Sequence, residues 1–193
     1  MMNNSIPVGI SNRHLHVTQQ DLETLFGKGH VLTKTKDLSQ TGQFACDETV
    51  TLVTCKSQIE KVRILGPVRK ETQVELSLTD CIKLGIQVPI RESGSLEGTP
   101  GIQILGPAGK VLLESGVIVA ARHIHMSPKD AEHFGVKAGE IVSAYVSGPR
   151  SITFNQVIIR VREDFVLDFH IDTDEANAAN LKNSDTVELI KAK

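Results

Sequence analysis

The feature that most constrains the fold of this chain is a short segment that occurs twice. Residues 13–23 (RHLHVTQQDLE) align without gaps on residues 122–132 (RHIHMSPKDAE), with five identical and three conservatively replaced positions. In each copy a Thr or Ser stands three residues before an Asp, an arrangement typical of a helix N-cap. Each copy therefore predicts a strand end that carries His-x-His, followed directly by a short capped helix. Two copies in one chain predict an internal duplication and two related subdomains.

Short runs rich in β-branched residues dominate the rest of the chain, whereas helical periodicity is weak. Among others, the pattern predicts strands at Gln73–Leu78 and Val111–Ala120, and a loose surface loop over Arg91–Pro100. Gly-Pro pairs mark turns between several of the runs. Many short strands with regular turns favour small barrels over a parallel sheet. We expect a mostly β protein made of two small β-barrels with short capping α-helices.

Composition and charge exclude several classes of function. The 193 residues carry 21 Lys and Arg against 23 Asp and Glu, a formal net charge of -2, so a basic surface for nucleic acid is not expected. Aromatic residues make up 4% and include no Trp, which disfavours base-stacking platforms. No apolar run approaches the roughly 18 residues that a membrane span needs. The three cysteines form no C-x-x-C pair and predict neither a disulfide framework nor a cysteine zinc site.

The two His-x-His pairs are the residues best suited to chemistry. Along an extended strand, residues i and i+2 project from the same face, so His14 and His16 point together, as do His123 and His125. Such a pair offers two nitrogen ligands to zinc, although single pairs also occur on exposed strands. Two copies at matching positions of a repeat favour metal binding.

A fainter correspondence supplies a third residue for each pair. Residues 74–80 can be aligned on residues 169–175, which places Glu75 and His170 at the same point of their repeats. Adding Glu75 to the first pair gives a His₂Glu set, and adding His170 to the second gives a His₃ set. Catalytic zinc commonly has three protein ligands and one open position, so both sets suit an open catalytic site rather than a closed structural one.

Arg69 is a candidate for binding an anion. It follows the Gly66-Pro67 turn and precedes Glu75 by six residues, so an extended segment between them would place both side chains on one face. A guanidinium there would hold a tetrahedral oxyanion such as phosphate through two parallel hydrogen bonds. An isolated arginine near a turn is more commonly a surface residue, and the spacing does not decide between the two.

Other charged residues near the pairs leave alternatives open. Asp168 and Asp172 flank His170 on its own face, where either would orient the imidazole or simply mark the strand end. Arg13 and Arg122 directly precede the two pairs and are placed on the opposite strand face. They are interpreted as solvated charges or as ion pairs at the rim of a barrel.

Several long motifs, in order along the chain, carry a resemblance to a known family. They are SNRHLH (11–16), LSQTGQFA (38–45), LGPVRKETQVE (65–75), RESG (91–94), ARHIHMSP (121–128) and HIDTDEA (170–176). In these motifs the chain resembles the PduL-type phosphotransacylases, or phosphate propanoyltransferases, from about Ile6 to Ile190. The resemblance implies two interlocked β-barrels. Residues 13–120 would form one, with a small insertion at about 28–47, and residues 1–12 plus 121–193 would form the other.

The resemblance also implies an activity, a homodimer and a dinuclear zinc site. The activity is reversible transfer of a short acyl group, propanoyl or acetyl, between coenzyme A and phosphate. Acyl-CoA and phosphate would thereby give acyl phosphate and free CoA. Carried over to this chain, one zinc ion is bound by His14, His16 and Glu75, the second by His123, His125 and His170, and phosphate by Arg69.

Because the sequence shows no candidate for an acyl-carrying nucleophile, we expect phosphate to attack the thioester directly. Two alternatives stay open. A zinc-dependent hydrolase of thioesters or phosphoesters would use the same metals to activate water, and a non-catalytic binding module would use zinc only to staple two barrels together. The few residues before the first predicted strand show no amphipathic helix of the kind that directs some family members to bacterial microcompartments, so a cytoplasmic enzyme is expected.

Overall fold

The computed structural model of this chain describes residues 5–191, which are mostly strand with four short helices. The strands are β1 (Ser5–Ser11), β2 (His14–His16), β3 (Lys34–Asp37), β4 (Phe44–Val53), β5 (Gln58–Gly66), β6 (Gln73–Glu75), β7 (Ile90–Arg91), β8 (Gln103–Leu105), β9 (Lys110–Leu112), β10 (Val117–Ala120), β11 (His123–Met126), β12 (Ile141–Val146), β13 (Ile152–Val161), β14 (Asp168–Asp172) and β15 (Thr186–Lys191). The helices are α1 (Gln19–Phe26), α2 (Leu78–Leu84), α3 (Pro128–Phe134) and α4 (Thr173–Ala179). The predicted mostly β class with few, short helices is confirmed. Among the described residues no helix combines the length and apolarity that a membrane crossing requires.

The chain divides into two compact units, which we propose as the two domains expected from the sequence. The first unit contains the described residues up to Ser11, the segment Ser39–Thr41 and the described residues from Ala121 onward, and the second contains Asn12–Leu38 and Gly42–Ala120. Residues 1–4 and 192–193 of the expected second domain lie outside the described residues. Most of the N-terminal segment in which no targeting helix is expected also lies outside the described residues.

The first unit is a closed barrel of six strands in the order β1-β14-β11-β13-β12-β15, all within the described chain. β1 closes the barrel because it pairs in parallel with β14 and antiparallel with β15. In the second unit, the described residues form one nine-stranded sheet that curls into a half-barrel. Its path is β7-β10-β6-β2-β5-β4-β8-β9, and β3 pairs with β4. The expected pair of β-barrels is thus one closed barrel and one half-barrel.

The two units share a local arrangement of strands. β2 pairs antiparallel with β6 and parallel with β5, while β11 pairs antiparallel with β14 and parallel with β13. β1 of the first unit leads into β2 of the second, and β10 of the second unit leads into β11 of the first. The strand that precedes each His-x-His therefore belongs to the other unit. This shared pairing supports the internal duplication, and the strand exchange explains why the domain boundaries are interleaved along the chain.

Alternation along the two His-x-His strands separates the histidines from the hydrophobic cores. Leu15 is fully buried in the core of the second unit, and Ile124 is fully buried in the core of the first. Successive strand side chains point to opposite faces, so the histidines on either side of each aliphatic residue share the other face. Two imidazoles therefore stand together without interrupting either core.

Short polar side chains start the helices close to these strands. Thr18 Oγ1 accepts a hydrogen bond from the Asp21 backbone N–H at 3.0 Å, and Ser127 Oγ accepts one from the Asp130 N–H at 3.2 Å. Both predicted N-caps are confirmed. The side-chain acceptor satisfies a backbone donor that has no partner within the first turn, which makes an abrupt change from strand to helix favourable.

Two predicted strands are wrong in their extent. The strand expected at Gln73–Leu78 ends at Glu75, because Ser77 caps α2. The strand expected at Val111–Ala120 is interrupted between β9 and β10, where Gly116 has a φ of 123°. Residues with a side chain rarely adopt that backbone conformation, so the glycine allows the chain to turn between the two strands.

Replacing Phe169 with Ala is expected to destabilise the first unit strongly. Phe169 is fully buried in β14 and its ring lies 5.8 Å from that of Phe154, centroid to centroid, so truncation leaves a cavity in the barrel. We expect a loss of about 3–5 kcal/mol in the free energy of unfolding, measured by urea titration. Val166→Ala, at a side chain that is 45% exposed, is the control and should change it by about 0.5 kcal/mol or less. Equal losses in the two variants would contradict the described core.

Candidate functional site

The structure brings the six predicted metal ligands together as two groups of three, one in each unit. In each group the ligand atoms lie within 4.8 Å of one another. Among the described residues, these are the two groups of His, Cys, Asp or Glu side chains that are close enough together to bind one metal ion. The Glu75 triad consists of His14, His16 and Glu75, and the His170 triad consists of His123, His125 and His170.

The register of one short ladder explains each triad. His14 on β2 lies opposite Glu75 on β6, and His123 on β11 lies opposite His170 on β14. Residues directly opposed in an antiparallel pair project from the same face with their Cβ atoms about 4.5–5.5 Å apart. The second histidine of each pair, two positions further, shares that face. Glu75 and His170 therefore occupy the same register position, as the fainter repeat predicted.

Four of the ligands also share a position relative to a helix. Each stands two residues before an N-cap, and an Asp or Glu follows three residues after that cap. The segments are HVT at 16–18, ELS at 75–77, HMS at 125–127 and HID at 170–172. This pattern of ligand, apolar residue and cap is readable in the sequence. It identifies Glu75 without any alignment of the two halves.

Backbone carbonyl groups orient three of the imidazoles. Nδ1 of His14 lies 2.8 Å from the Asn12 carbonyl oxygen, and Nδ1 of His123 lies 2.8 Å from that of Ala121, the equivalent residue. His16 Nδ1 lies 3.1 Å from the Leu65 carbonyl oxygen. A carbonyl oxygen only accepts, so Nδ1 carries a proton in each ring, which in the neutral imidazole leaves the lone pair on Nε2. This is the arrangement that fixes a histidine as a metal ligand.

Burial keeps the second histidine of the first pair neutral. Desolvation lowers the pKa of His16 to about 3, and the nearby His14 and Arg69 add to the effect. Nε2 of His14 lies 3.5 Å from a carboxylate oxygen of Glu75, so the carboxylate faces the imidazoles. Two nitrogen lone pairs and one carboxylate are ligands that zinc accepts.

His125 gives the clearest sign that the second triad could hold an ion. Burial lowers its pKa to about 2, with further lowering from His123 and His170. Both of its ring nitrogens are buried and have no hydrogen-bond partner among the described residues. Buried polar atoms nearly always have a partner. The ring centroid of His125 lies 4.6 Å from that of His123 and 4.6 Å from that of His170, so an ion bound by the three rings would give one of the two nitrogens a partner.

Polar residues from the connection between β3 and β4 lie beside His170, and sequence reasoning missed them. Ser39 Oγ donates to Asp168 Oδ2 at 2.6 Å. The Gln40 amide is fixed by the Val166 backbone, to whose oxygen it donates at 2.9 Å and from whose N–H it accepts at 3.2 Å. Gln40 Nε2 and Asp168 Oδ2 each lie 3.5 Å from His170 Nε2.

The two aspartates that flank His170 have different environments. Burial raises the pKa of Asp168 to about 6, although the hydrogen bond from Ser39 opposes the shift. Asp168 Oδ2 lies 3.5 Å from His170 Nε2, so Asp168 is the aspartate beside the imidazole. Asp172 accepts a hydrogen bond from the Glu175 N–H and is the N-cap of α4, which is the strand-end alternative.

Arg69 lies near the Glu75 triad, but it does not arrive there by an extended segment. Residues 67–72 form bends rather than a strand, so the spacing argument for Arg69 does not hold. Instead the Arg69 backbone N–H donates to the Val17 carbonyl at 2.8 Å, directly after β2. Its charge contributes to the lowered pKa of His16. A guanidinium and the two imidazoles therefore share one electrostatic environment.

Ser93 and Gln73 connect Arg69 to the Glu75 carboxylate. Arg69 Nη1 donates to Ser93 Oγ at 3.3 Å, and Gln73 Nε2 donates to the same oxygen at 2.8 Å and to Glu75 Oε1 at 2.6 Å. Gln73 Oε1 accepts from the Gly94 N–H at 2.8 Å, which anchors the amide. The segment expected to be a loose surface loop thus carries residues of the site.

Comparison with known proteins gives one consistent result. A family model described as phosphate propanoyltransferase matches residues 7–182. A phosphate propanoyltransferase of Thermotoga maritima is 60% identical over 187 residues, which cover 96% of this chain and 89% of that protein. Proteins of the same description from Lachnoclostridium phytofermentans and Salmonella typhimurium are 58% and 52% identical. They match 92% and 95% of this chain and 83% and 87% of their own lengths. The resemblance drawn from the motifs is confirmed.

The metal-free protein is expected to lose stability as the pH falls below about 6.5, the ordinary pKa of histidine. His16 and His125 stay neutral in the folded chain down to about 3 and about 2, whereas the unfolded chain protonates both. At these two histidines the unfolded state therefore binds more protons in this range, at about 1.4 kcal/mol per pH unit for each. Asp168, whose pKa burial raises to about 6, is protonated first in the folded state and offsets part of this slope. Urea titrations of chelated protein between about pH 7 and pH 5 measure the slope. His16→Gln should lower the slope of the unfolding free energy against pH by the amount that corresponds to about one proton. An unchanged slope would contradict the described burial.

Proposed function

Because the chain belongs to the phosphate propanoyltransferase family, we propose that it transfers a short acyl group reversibly between coenzyme A and inorganic phosphate. One zinc ion is bound by each triad. The observation that carries this proposal is that two open sets of three ligands occupy the same ladder register in both units, with Arg69 beside one of them. The family assignment by itself supports a phosphate acyltransferase.

The ligand sets suit zinc ions that act in catalysis. Each triad supplies three protein ligands, and catalytic zinc keeps a further position for water or substrate. When bound in such a site, zinc provides a Lewis acid that favours the thiolate form of CoA and polarises the thioester carbonyl. The family resemblance implies that both ions form one dinuclear centre, and this arrangement is part of the proposal.

Arg69 binds the phosphate. Its guanidinium offers parallel N–H donors to two phosphate oxygens, and the hydrogen bond to Ser93 limits the orientations it can adopt. Gln73 holds the Glu75 carboxylate through one oxygen, which leaves the second oxygen directed to His14 and the ion. Holding phosphate in a fixed orientation lowers the entropic cost of its encounter with the thioester.

The acyl group passes directly from sulfur to oxygen in this proposal. A phosphate oxygen attacks the thioester carbonyl carbon, a C–O bond forms, the C–S bond breaks, and CoA leaves as the thiolate. The thiols of Cys46 and Cys81 lie in the core of the second unit, and that of Cys55 is exposed between β4 and β5. Burial raises the pKa of Cys46 to about 11, so this thiol stays protonated and is a poor nucleophile. An initial-rate pattern typical of a ping-pong mechanism would contradict direct transfer.

Arg69→Ala should lower phosphate-dependent CoA release from propanoyl-CoA by about a hundredfold, the order of loss expected when one preorganised hydrogen-bond donor is removed from an active site. The effect should appear mainly as a raised KM for phosphate, with the zinc content unchanged. Lys70→Ala is the matched control, because Lys70 is the exposed neighbour of Arg69. A normal KM for phosphate in Arg69→Ala would show that this arginine does not bind phosphate.

A thiol assay with and without phosphate separates the transferase from the two alternatives. The proposal expects two zinc ions per chain by elemental analysis and CoA release only when phosphate is present. Release that is independent of phosphate would identify a hydrolase. Zinc without any turnover of acetyl-CoA or propanoyl-CoA would favour a binding module. Propanoyl and acetyl groups differ by one methylene, worth about 1–3 kcal/mol in a pocket, so both are assayed. The homodimer and the cytoplasmic location stay predictions.

A further inference from the structure

An ion pair connects the first and third ligands of the Glu75 triad through residues next to them. Arg13 directly precedes His14, and its Nε and Nη2 both lie 2.8 Å from Asp80 Oδ1. Asp80 is the third residue of α2, the helix whose N-cap, Ser77, stands two residues after Glu75. The guanidinium therefore links the start of β2 to the first turn of the helix that follows β6.

The His170 triad has the same connection. Arg122 directly precedes His123, and its Nε donates to Glu175 Oε1. Glu175 is the third residue of α4, whose N-cap, Asp172, stands two residues after His170. The arginine, the first ligand, the third ligand, the cap and the acid thus occupy equivalent positions in the two units.

The pair is kept although the residues around it differ between the units. The third ligand is Glu in one triad and His in the other, the cap is Ser or Asp, and the acid is Asp or Glu. The acid is buried in one unit and half-buried in the other, while each arginine side chain is about one-third exposed. Ion pairs between fully exposed residues contribute little, but these carboxylates are shielded from water.

We infer that Arg13 and Arg122 are positioning residues, each of which fixes the separation of the first and third ligands in its own triad. The ladder that opposes those ligands is short, with three paired positions in β2–β6 and three in β11–β14. Two residues beyond each third ligand, at Ser77 and at Asp172, an N-cap ends the extended segment and a helix begins. The ion pair closes this end, because it holds the helix to the strand that carries the first ligand. The inference rests on the proposed zinc sites.

The test uses Arg13→Gln and Arg122→Gln in the full chain, with zinc affinity as the readout. Competition with a chromophoric chelator measures the dissociation constants of both ions, and the visible spectrum of Co²⁺-substituted protein reports the ligand geometry. Each variant should raise the zinc dissociation constant of one triad about 10–100-fold, as the loss of a residue that orients ligands does. The Co²⁺ spectrum of the same triad should change. The other ion should keep its wild-type affinity, so each variant controls for the other. Arg13→Lys, which keeps the charge but not the planar fork, should recover part of the affinity.

A second variant guards against loss of the fold. Arg13→Gln leaves the buried Asp80 carboxylate without its guanidinium, so Arg13→Gln/Asp80→Asn removes both charges together. This double variant should unfold at a temperature close to that of the wild type and still show the weakened zinc site. Lys34→Gln breaks an exposed ion pair with Asp37 in the same unit and should leave both zinc affinities unchanged.

The failure of the inference and the failure of the proposed function are distinguishable. Wild-type protein with two zinc ions, together with unchanged affinities in both arginine variants, would overturn the positioning role and leave the proposed function intact. Wild-type protein that binds no zinc would overturn both. A folded Arg13→Gln protein in which both ions weaken equally would contradict the assignment of one ion pair to one triad.

Discussion

The antiparallel ladder that sets a third ligand opposite a His-x-His pair is the constraint on which the rest of the structure depends. In both units the first histidine and the third ligand are directly opposed, and only three residue pairs make up the ladder. The period of two along a strand places both histidines on that face and sends the aliphatic residue between them, Leu15 or Ile124, into a core. A shift of one residue in the register would exchange these faces, so the two triads and the cores require the same strand pairing.

This arrangement places histidines where water solvates them poorly, and the surrounding residues are consistent with that cost. Burial keeps His16 and His125 neutral. Backbone carbonyl groups accept hydrogen bonds from Nδ1 of His14, His16 and His123 and so orient these rings. Neutral imidazoles with an unshared lone pair are ready to bind a metal without first losing a proton. The short helices contribute as well, because their N-caps end the strands two residues after a ligand.

Much of the fold and of the site was predictable, since the repeat, the alternation and the caps are local patterns. The His-x-His strands, the helix N-caps at Thr18 and Ser127, and the common register of Glu75 and His170 all depend on residues close in sequence. Errors occurred where a single residue interrupts a pattern. Ser77 caps a helix inside a segment that alternates like a strand, and Gly116, which follows two polar residues, divides an otherwise apolar segment into two strands.

The sequence by itself determined the two histidine pairs, the third member of each triad, the mostly β class and the family. Each of these follows from spacing within one segment or from the match between two segments. Only the tertiary structure decided which residues surround the ligands: Ser39 beside Asp168, Gln40 beside His170, Ser93 between Arg69 and Gln73, and Arg13 on Asp80. These partners are 20 to 130 residues apart along the chain. No local periodicity records such contacts, because they exist only after the strands have paired and the loops have closed over them.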